Sequence, residues 1–130
     1  MKRPRVNDLA QLQGQWRQNR LEDNGVIDPP DMHGGYGAIT TFEGDKFTVQ
    51  ALDGTIILAG RFILDPTTTP KSITWVDSMG DDAGKQLPAI YELDADRFLF
   101  VAADEGMPRP SQFVTTDGLT LRGFERVVAG

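Results

Sequence analysis

From Gly14 onward, apolar and polar residues alternate with a period of two, in short runs broken by glycine, proline, asparagine and aspartate. That pattern predicts half-buried β-strands joined by tight turns. The first run, Gln15 to Glu22, ends at Asp23-Asn24-Gly25, a strong turn signal. Val26 to Gly35 holds Pro29, Pro30 and two glycines and reads as a long loop. Tyr36 to Phe42 alternates again, and Glu43-Gly44-Asp45 turns the chain into Lys46 to Leu52. Asp53-Gly54 then reads as a two-residue hairpin loop before a long strand, Thr55 to Leu64, in which Gly60 marks a bulge or a close approach. Further strands are expected at Lys71 to Asp77, Gln86 to Leu93 and Arg97 to Ala103. Ser111 to Val127 reads as a final strand pair, or as one strand broken near Asp117-Gly118.

Ahead of these runs, Asn7 and Asp8 can cap one helical turn through Leu9, Ala10 and Leu12, which Gly14 ends. No helix is long enough to cover a sheet face. About eight strands joined by hairpins must still hide their edges, and closing into a barrel does so. The fold class predicted is therefore all-β, an eight-stranded antiparallel up-and-down barrel with a short N-terminal helical turn. Its interior is either filled by side chains or holds one small ligand. Ile56-Ile57-Leu58 and Phe98-Leu99-Phe100-Val101 are apolar on both faces. They imply either a tightly packed barrel or an outer face buried against a second copy.

A chain of 130 residues fits one domain, read as a flexible tail at 1–8 and a barrel at 9–130. The net charge of -6 argues against a nucleic-acid partner, because phosphate binding needs clustered lysine and arginine. The one basic cluster, Lys2-Arg3-Pro4-Arg5, reads as a solvated tail. Cysteine is absent, which removes disulfides, thiolate metal sites and thiol nucleophiles. No signal sequence and no membrane span are visible, so a cytoplasmic location is the expectation, although a chain with its leader removed reads the same.

Leu12-Gln13-Gly14-Gln15-Trp16 carries a glycine two residues before a tryptophan at the head of the strands. Leu21 to Gly25, Phe42 to Phe47, Gly60 to Pro66, Pro70 to Ile73, Ile90 to Asp94 and Arg109-Pro110 follow in order. Together these segments resemble the small bacterial lipocalin-like family labelled the planctomycetes uncharacterised domain. The likeness runs from about residue 9 to residue 127. It implies a lipocalin-like barrel and supplies no catalytic residues. Ala95 departs from a usual turn glycine, and Val101 stands where a cysteine is often seen. By the same resemblance, Gly14 and Trp16 close the barrel floor and a last-strand arginine packs over the indole. Arg126, nearer the end than Arg122, is the expected partner.

Candidate chemistry is sparse. His33 is the sole histidine, near Asp28 and Asp31, and no second histidine completes a usual zinc set. Asp77, Asp81 and Asp82 do not meet the calcium-loop pattern, and Asp94-Ala95-Asp96 reads as a turn. Gly80 to Lys85 lacks phosphate-loop spacing, and no Gly-x-Ser-x-Gly occurs. No metal, no cofactor and no catalytic residue is assigned. Tyr36, Arg61, Tyr91, Glu92 and Arg109 are the polar groups most able to enter a barrel, although Tyr91 and Glu92 should face opposite sides. A ligand site is expected to be lined by Tyr36, Phe62, Trp75, Tyr91, Phe98 and Phe100, with Arg61. These features point first to a non-enzymatic barrel that binds a small hydrophobic molecule at the end opposite Trp16. Two alternatives stand beside it: a filled barrel serving protein interaction or homodimer formation, and a small enzyme using the Tyr, Arg and Glu groups.

Overall fold

The computed structural model describes residues 8–23, 26–27, 37–79, 83–116 and 118–127, with the backbone alone at 26–27. The chain runs through α1 (Asp8–Leu12), β1 (Gly14–Asp23), β2 (Val26–Ile27), β3 (Ile39–Glu43), β4 (Lys46–Gln50) and β5 (Ile56–Asp65). It continues through β6 (Lys71–Asp77), β7 (Gln86–Leu93), β8 (Arg97–Ala103) and β9 (Leu119–Arg126). Every pairing is antiparallel, and β9 returns to β1 to close a barrel of eight strands, β1 with β3 to β9. β2 is a two-residue rung on the far end of β1, where Val26 pairs with Asp23.

The expected strands at Lys71–Asp77, Gln86–Leu93 and Arg97–Ala103 are found with those bounds. Val26 and Ile27, expected to lie in a loop, are strand instead, and two further expectations are corrected. The β4–β5 turn is wider than Asp53-Gly54: Ala51 and Thr55 face each other, with the Ala51 N–H donating to Thr55 O at 2.8 Å, so three residues form the loop. A register shift at Val49/Gln50 absorbs the odd residue. The second correction is toward the C-terminus, where among the described residues after β8 only Leu119–Arg126 is strand. The residues before it form a connection that leaves β8 and lies over the outside of the barrel.

That connection explains one of the two doubly apolar runs, Phe98 to Val101, whereas Ile56 of the other stays exposed. Ile90, Val101 and Leu121 face outward from β7, β8 and β9 and are buried, with Phe113 of the connection packed on them. Arg109 clamps it down, donating to Ile73 O at 2.9 Å, Ala89 O at 2.7 Å and Thr74 Oγ1 at 2.8 Å. Those acceptors flank Pro88, which pairs with Thr74 and brings no N–H to the ladder. The outer patch is thus buried by its own chain. Arg109 lies outside the barrel, not in it.

The floor is built around α1. A five-residue helix has almost no internal hydrogen bonding, so its carbonyls need outside donors. The Gln13 amide donates to Leu9 O at 3.0 Å, the Gln13 backbone to Ala10 O at 3.3 Å, and the Trp16 indole to Leu12 O at 2.8 Å. Arg126 donates to Gln11 O, and to Gln13 O at 3.0 Å. Its guanidinium also stacks 4.2 Å from the centroid of the Trp16 ring, a cation–π contact on a fully buried indole. Gly14, at φ 109, lets the chain leave the helix for β1 with Arg126 Nη1 close beside it. Asp8, expected to end a loose tail, instead anchors α1. Its Oδ2 accepts from Lys71 Nζ at 3.0 Å and Tyr91 OH at 2.7 Å.

Above the floor, inward positions are dominated by aromatic side chains. Phe98 lies within 6.4 Å, centroid to centroid, of Trp16, Phe42, Trp75, Tyr91, Phe100 and Phe124. Such offset and edge contacts add to the burial of large apolar area. Gly60 is where β5 passes closest to its neighbour: a Cβ there would lie 2.3 Å from Val76 O and 2.9 Å from the Phe47 ring.

Two stability outcomes follow. Trp16→Ala should cost about 3–5 kcal/mol in urea unfolding, by the measure of other core aromatics; an unchanged midpoint would remove Trp16 from the floor. Gly60→Ala should lose about 1–3 kcal/mol through overpacking, read from the same midpoints.

Candidate functional site

The aromatic packing fills the half of the barrel next to α1. At the other end a cavity of about 170 Å³ remains, set among β1 and β3 to β9. Its apolar wall is formed chiefly by Phe47, Val49, Trp75, Phe100 and Phe124. Trp75 holds this wall together, 4.8 Å from the Phe100 ring centroid and 5.1 Å from that of Phe47. Leu58, Leu87, Ala102 and Ala103 extend that wall, and the polar part of the lining is Gln18, Thr40, Asp77, Asp104, Thr120 and Arg122.

Four of these groups, Gln18, Asp77, Thr120 and Arg122, are inward because of a local feature of their strands, while Asp104 follows the end of β8 and is exposed. Gln18 follows Trp16 by two residues on β1, so both face the interior. A bulge comes next: Gln18 pairs with Phe124 but Arg20 pairs with Gly123, leaving Asn19 extra. The bulge shifts the inward phase, so Leu21 is buried and Asp23 faces Thr120, whose hydroxyl donates to it at 3.0 Å. On β9, Phe124, Arg122 and Thr120 form one inward row, and Arg122 Nη1 donates to Gln18 Oε1 at 3.1 Å. On β6, Asp77 follows Trp75 by two and sits opposite Gly60, whose lack of a side chain makes room for the close strand approach.

Gln18, Thr40 and Asp77 are buried, Thr120 and Arg122 half-buried and Asp104 exposed, so the polar lining runs from the interior out to the rim. Two of the lining side chains, moreover, carry a buried N–H without a partner, Gln18 Nε2 and Trp75 Nε1. Both residues border the same cavity.

Of the lining expected from sequence, Trp75 and Phe100 border the cavity. Phe62, Tyr91 and Phe98 are buried in the filled half instead. Arg61 is corrected outright: Phe62 beside it faces inward, so alternation sends Arg61 to the exposed outer face. Tyr36, His33, Asp28, Asp31, Asp81 and Asp82 lie outside the described residues. The acid–base set is not assembled. Tyr91 is at the floor, while Arg61, Glu92 and Arg109 lie on the outer surface. Asp94 is a turn residue, accepting from the backbone N–H of Asp96 at 2.9 Å and Arg97 at 2.8 Å, and those bonds hold its carboxyl below the usual range. Gln18, Thr40, Asp77 and Thr120 were not expected at the site, and Arg122 was considered only for the floor. Their signal was parity, each lying an even number of residues from an inward aromatic on its own strand.

The fold and its half-filled interior define a class: closed eight-stranded antiparallel barrels with a plugged floor and a small, polar-edged cavity at the other end. Scanned against protein-family models and searched against curated proteins and solved structures, the chain finds no match. Among the described residues no helix is long and apolar enough to cross a membrane.

Tyr91 gives a direct check on the floor beneath this cavity. Burial pushes its phenol well above the ordinary value, and the hydrogen bond to Asp8 with the negative charges of Asp8 and Asp65 adds to the rise. The neutral form is therefore favoured in the fold, and that contribution is complete below about pH 10. Above it the unfolded chain gains by ionising while the folded one does not, so stability falls as pH rises. In a Tyr36→Phe background, which leaves Tyr91 as the only tyrosine, tyrosinate absorbance should appear only together with alkaline unfolding. Reversible ionisation near pH 10 with the fold intact would contradict the buried Asp8–Tyr91 contact.

Proposed function

We propose that this chain is a lipocalin-like binding barrel, non-enzymatic, that holds one small molecule in the cavity above its aromatic floor. The observation that carries this reading is the unequal filling of the interior. One half is packed solid with rings, while the other keeps a cavity of about 170 Å³ with buried polar side chains in its wall. Small-molecule sites combine these elements, a mainly apolar concavity with a few placed polar groups.

The volume limits the ligand. An apolar cavity of about 150 Å³ is enough to hold benzene, whereas drug-sized ligands occupy roughly 300–1,000 Å³. A single ring with a short substituent fits; a long-chain lipid or a fused-ring cofactor does not. The scattering of the Tyr, Arg and Glu groups supports a carrier or sensor over a catalyst. Burial of the apolar patch at Ile90, Val101 and Leu121 by the chain's own connection weakens the case for a filled interaction module, with Ile56 and Ile63 left exposed on the outside of β5.

Native mass spectrometry and titration calorimetry of the full chain, with a panel of monocyclic aromatic compounds, test the reading. Binding of at least one compound at one per chain is expected, with quenching or enhancement of tryptophan fluorescence from the wall. Ala102→Leu, which adds bulk to the cavity wall, should weaken that binding by more than about tenfold, a loss of about 1.4 kcal/mol, with the β-sheet circular dichroism kept. A parent chain that binds none of the panel would overturn the proposal.

A further inference from the structure

The polar groups of the cavity say more about its ligand than the volume does, on the premise that it binds one. Five side chains of the lining carry an amide, indole or charged group: Gln18, Trp75, Asp77 and Arg122, with Asp104 exposed at the rim. Asp77 and Arg122 already have contacts within the protein. Gln18 Nε2 and Trp75 Nε1 have none.

The orientation of the Gln18 amide is settled by its neighbour. A guanidinium can only donate, so the atom that meets Arg122 Nη1 at 3.1 Å must be the amide oxygen. The amide nitrogen is then the unpaired end. An indole N–H likewise only donates. Both groups left without partners are thus donors, and both belong to side chains that are at least 94% buried, Gln18 at 3% exposure and Trp75 at 6%. A buried donor without an acceptor costs about 1–3 kcal/mol. A ligand that brings an acceptor recovers that cost on binding, and a hydrocarbon does not.

Charge narrows the class further. A carboxylate ligand would share a small, half-apolar space with the carboxylate of Asp77, which is itself buried. An ammonium ligand would share the space with the guanidinium of Arg122, and the unpaired groups of Gln18 and Trp75 can only donate and so offer it no acceptor. Like charges in a confined site of low dielectric repel strongly. A neutral carbonyl meets neither penalty.

We infer that the cavity takes a neutral monocyclic compound bearing a carbonyl or amide oxygen, with its ring against Trp75, Phe100 and Phe124 and its oxygen served by the free N–H of Gln18 or Trp75. The inference rests on the binding-barrel reading and specifies its ligand class.

Four probes of nearly equal size separate the alternatives: benzamide, benzoate, benzylamine in its protonated form, and toluene. Each is titrated into the full chain at neutral pH by calorimetry and by ligand-detected NMR. Benzamide should bind at least about fivefold more tightly than each of the other three, in keeping with one recovered hydrogen bond of about 1 kcal/mol. Trp75→Phe and Gln18→Met, measured separately, remove one donor each while keeping an apolar side chain of similar reach. At least one of them should bring benzamide down to the affinity of toluene, with toluene itself unchanged or tighter. Toluene or either charged probe binding as well as benzamide to the parent chain would overturn the neutral-acceptor class and leave the binding barrel standing. Benzamide selectivity that survives in both variants would overturn the assignment to these two donors. If none of the four binds, the binding barrel falls, and the ligand class with it.

Discussion

The barrel depends on what one guanidinium does at its seam. Arg126 pairs in register with Trp16, so the same residue that ends β9 closes the ladder onto β1. Its side chain then covers the Trp16 ring and takes up the carbonyls of Gln11 and Gln13, while its Nε donates to Ala95 O at 2.7 Å. Three separate problems meet there. A short helix has unsatisfied carbonyls, a barrel end has exposed ring surface, and the first and last strands must find each other across the whole chain. A planar group with several fixed donors and a stackable face serves all three, which a lysine ammonium cannot. The positive charge also lies at the C-terminal end of α1, where the helix dipole favours it.

The plugged floor determines where a cavity can exist. With α1 and Trp16 beneath them, the rings of Phe42, Phe62, Tyr91 and Phe98 occupy the adjoining layer. Toward the far end the inward positions become small or polar: Gly60 on β5, Ala102 on β8, Thr120 and Arg122 on β9. Eight strands set one circumference throughout, so smaller residues at one end leave volume there. The asymmetry is therefore a property of side-chain size along the strands, and the bulge at Asn19 keeps β1 in phase with β9 as that change occurs.

Much of the fold was legible because hairpin chemistry and a period of two are local. Asp94 caps its turn, and β6, β7 and β8 begin and end where the alternation does. The Trp16–Arg126 contact was expected only from the resemblance to lipocalin-like barrels, and the structure contains it. Two features were not local and were missed. The segment after β8 looked like strand, since Phe113, Val114 and Leu119 are apolar, but its task is to cover Ile90, Val101 and Leu121 from outside. That role depends on which outer face is bare, a tertiary fact. The site was half legible. Searching for aromatics found Trp75 and Phe100, yet it passed over Gln18 and Asp77, whose inward direction follows from lying two residues from Trp16 and Trp75. Arg61 was misplaced for the same reason, being one residue from Phe62.

An interior polar cluster has a free-energy meaning beyond its location. Replacing buried polar groups by well-packed apolar ones is often neutral or stabilising, and an unpaired buried donor costs about 1–3 kcal/mol. This barrel has ample means to avoid that cost, since its lower half is packed with rings in offset and edge contact. A wall of leucine and valine at positions 18, 77 and 122 would make a tighter, drier barrel. What stands there instead is a glutamine held by an arginine in one orientation, in a cavity also lined by an indole whose N–H has no acceptor. The Arg122–Gln18 bond makes the orientation a fixed property of the wall, so the donor is already placed before anything meets it. Such preorganisation is what lowers the cost of ordering on binding. In this barrel the stability carried by the Arg126 seam and the aromatic floor is what allows the opposite end to keep donors unpaired.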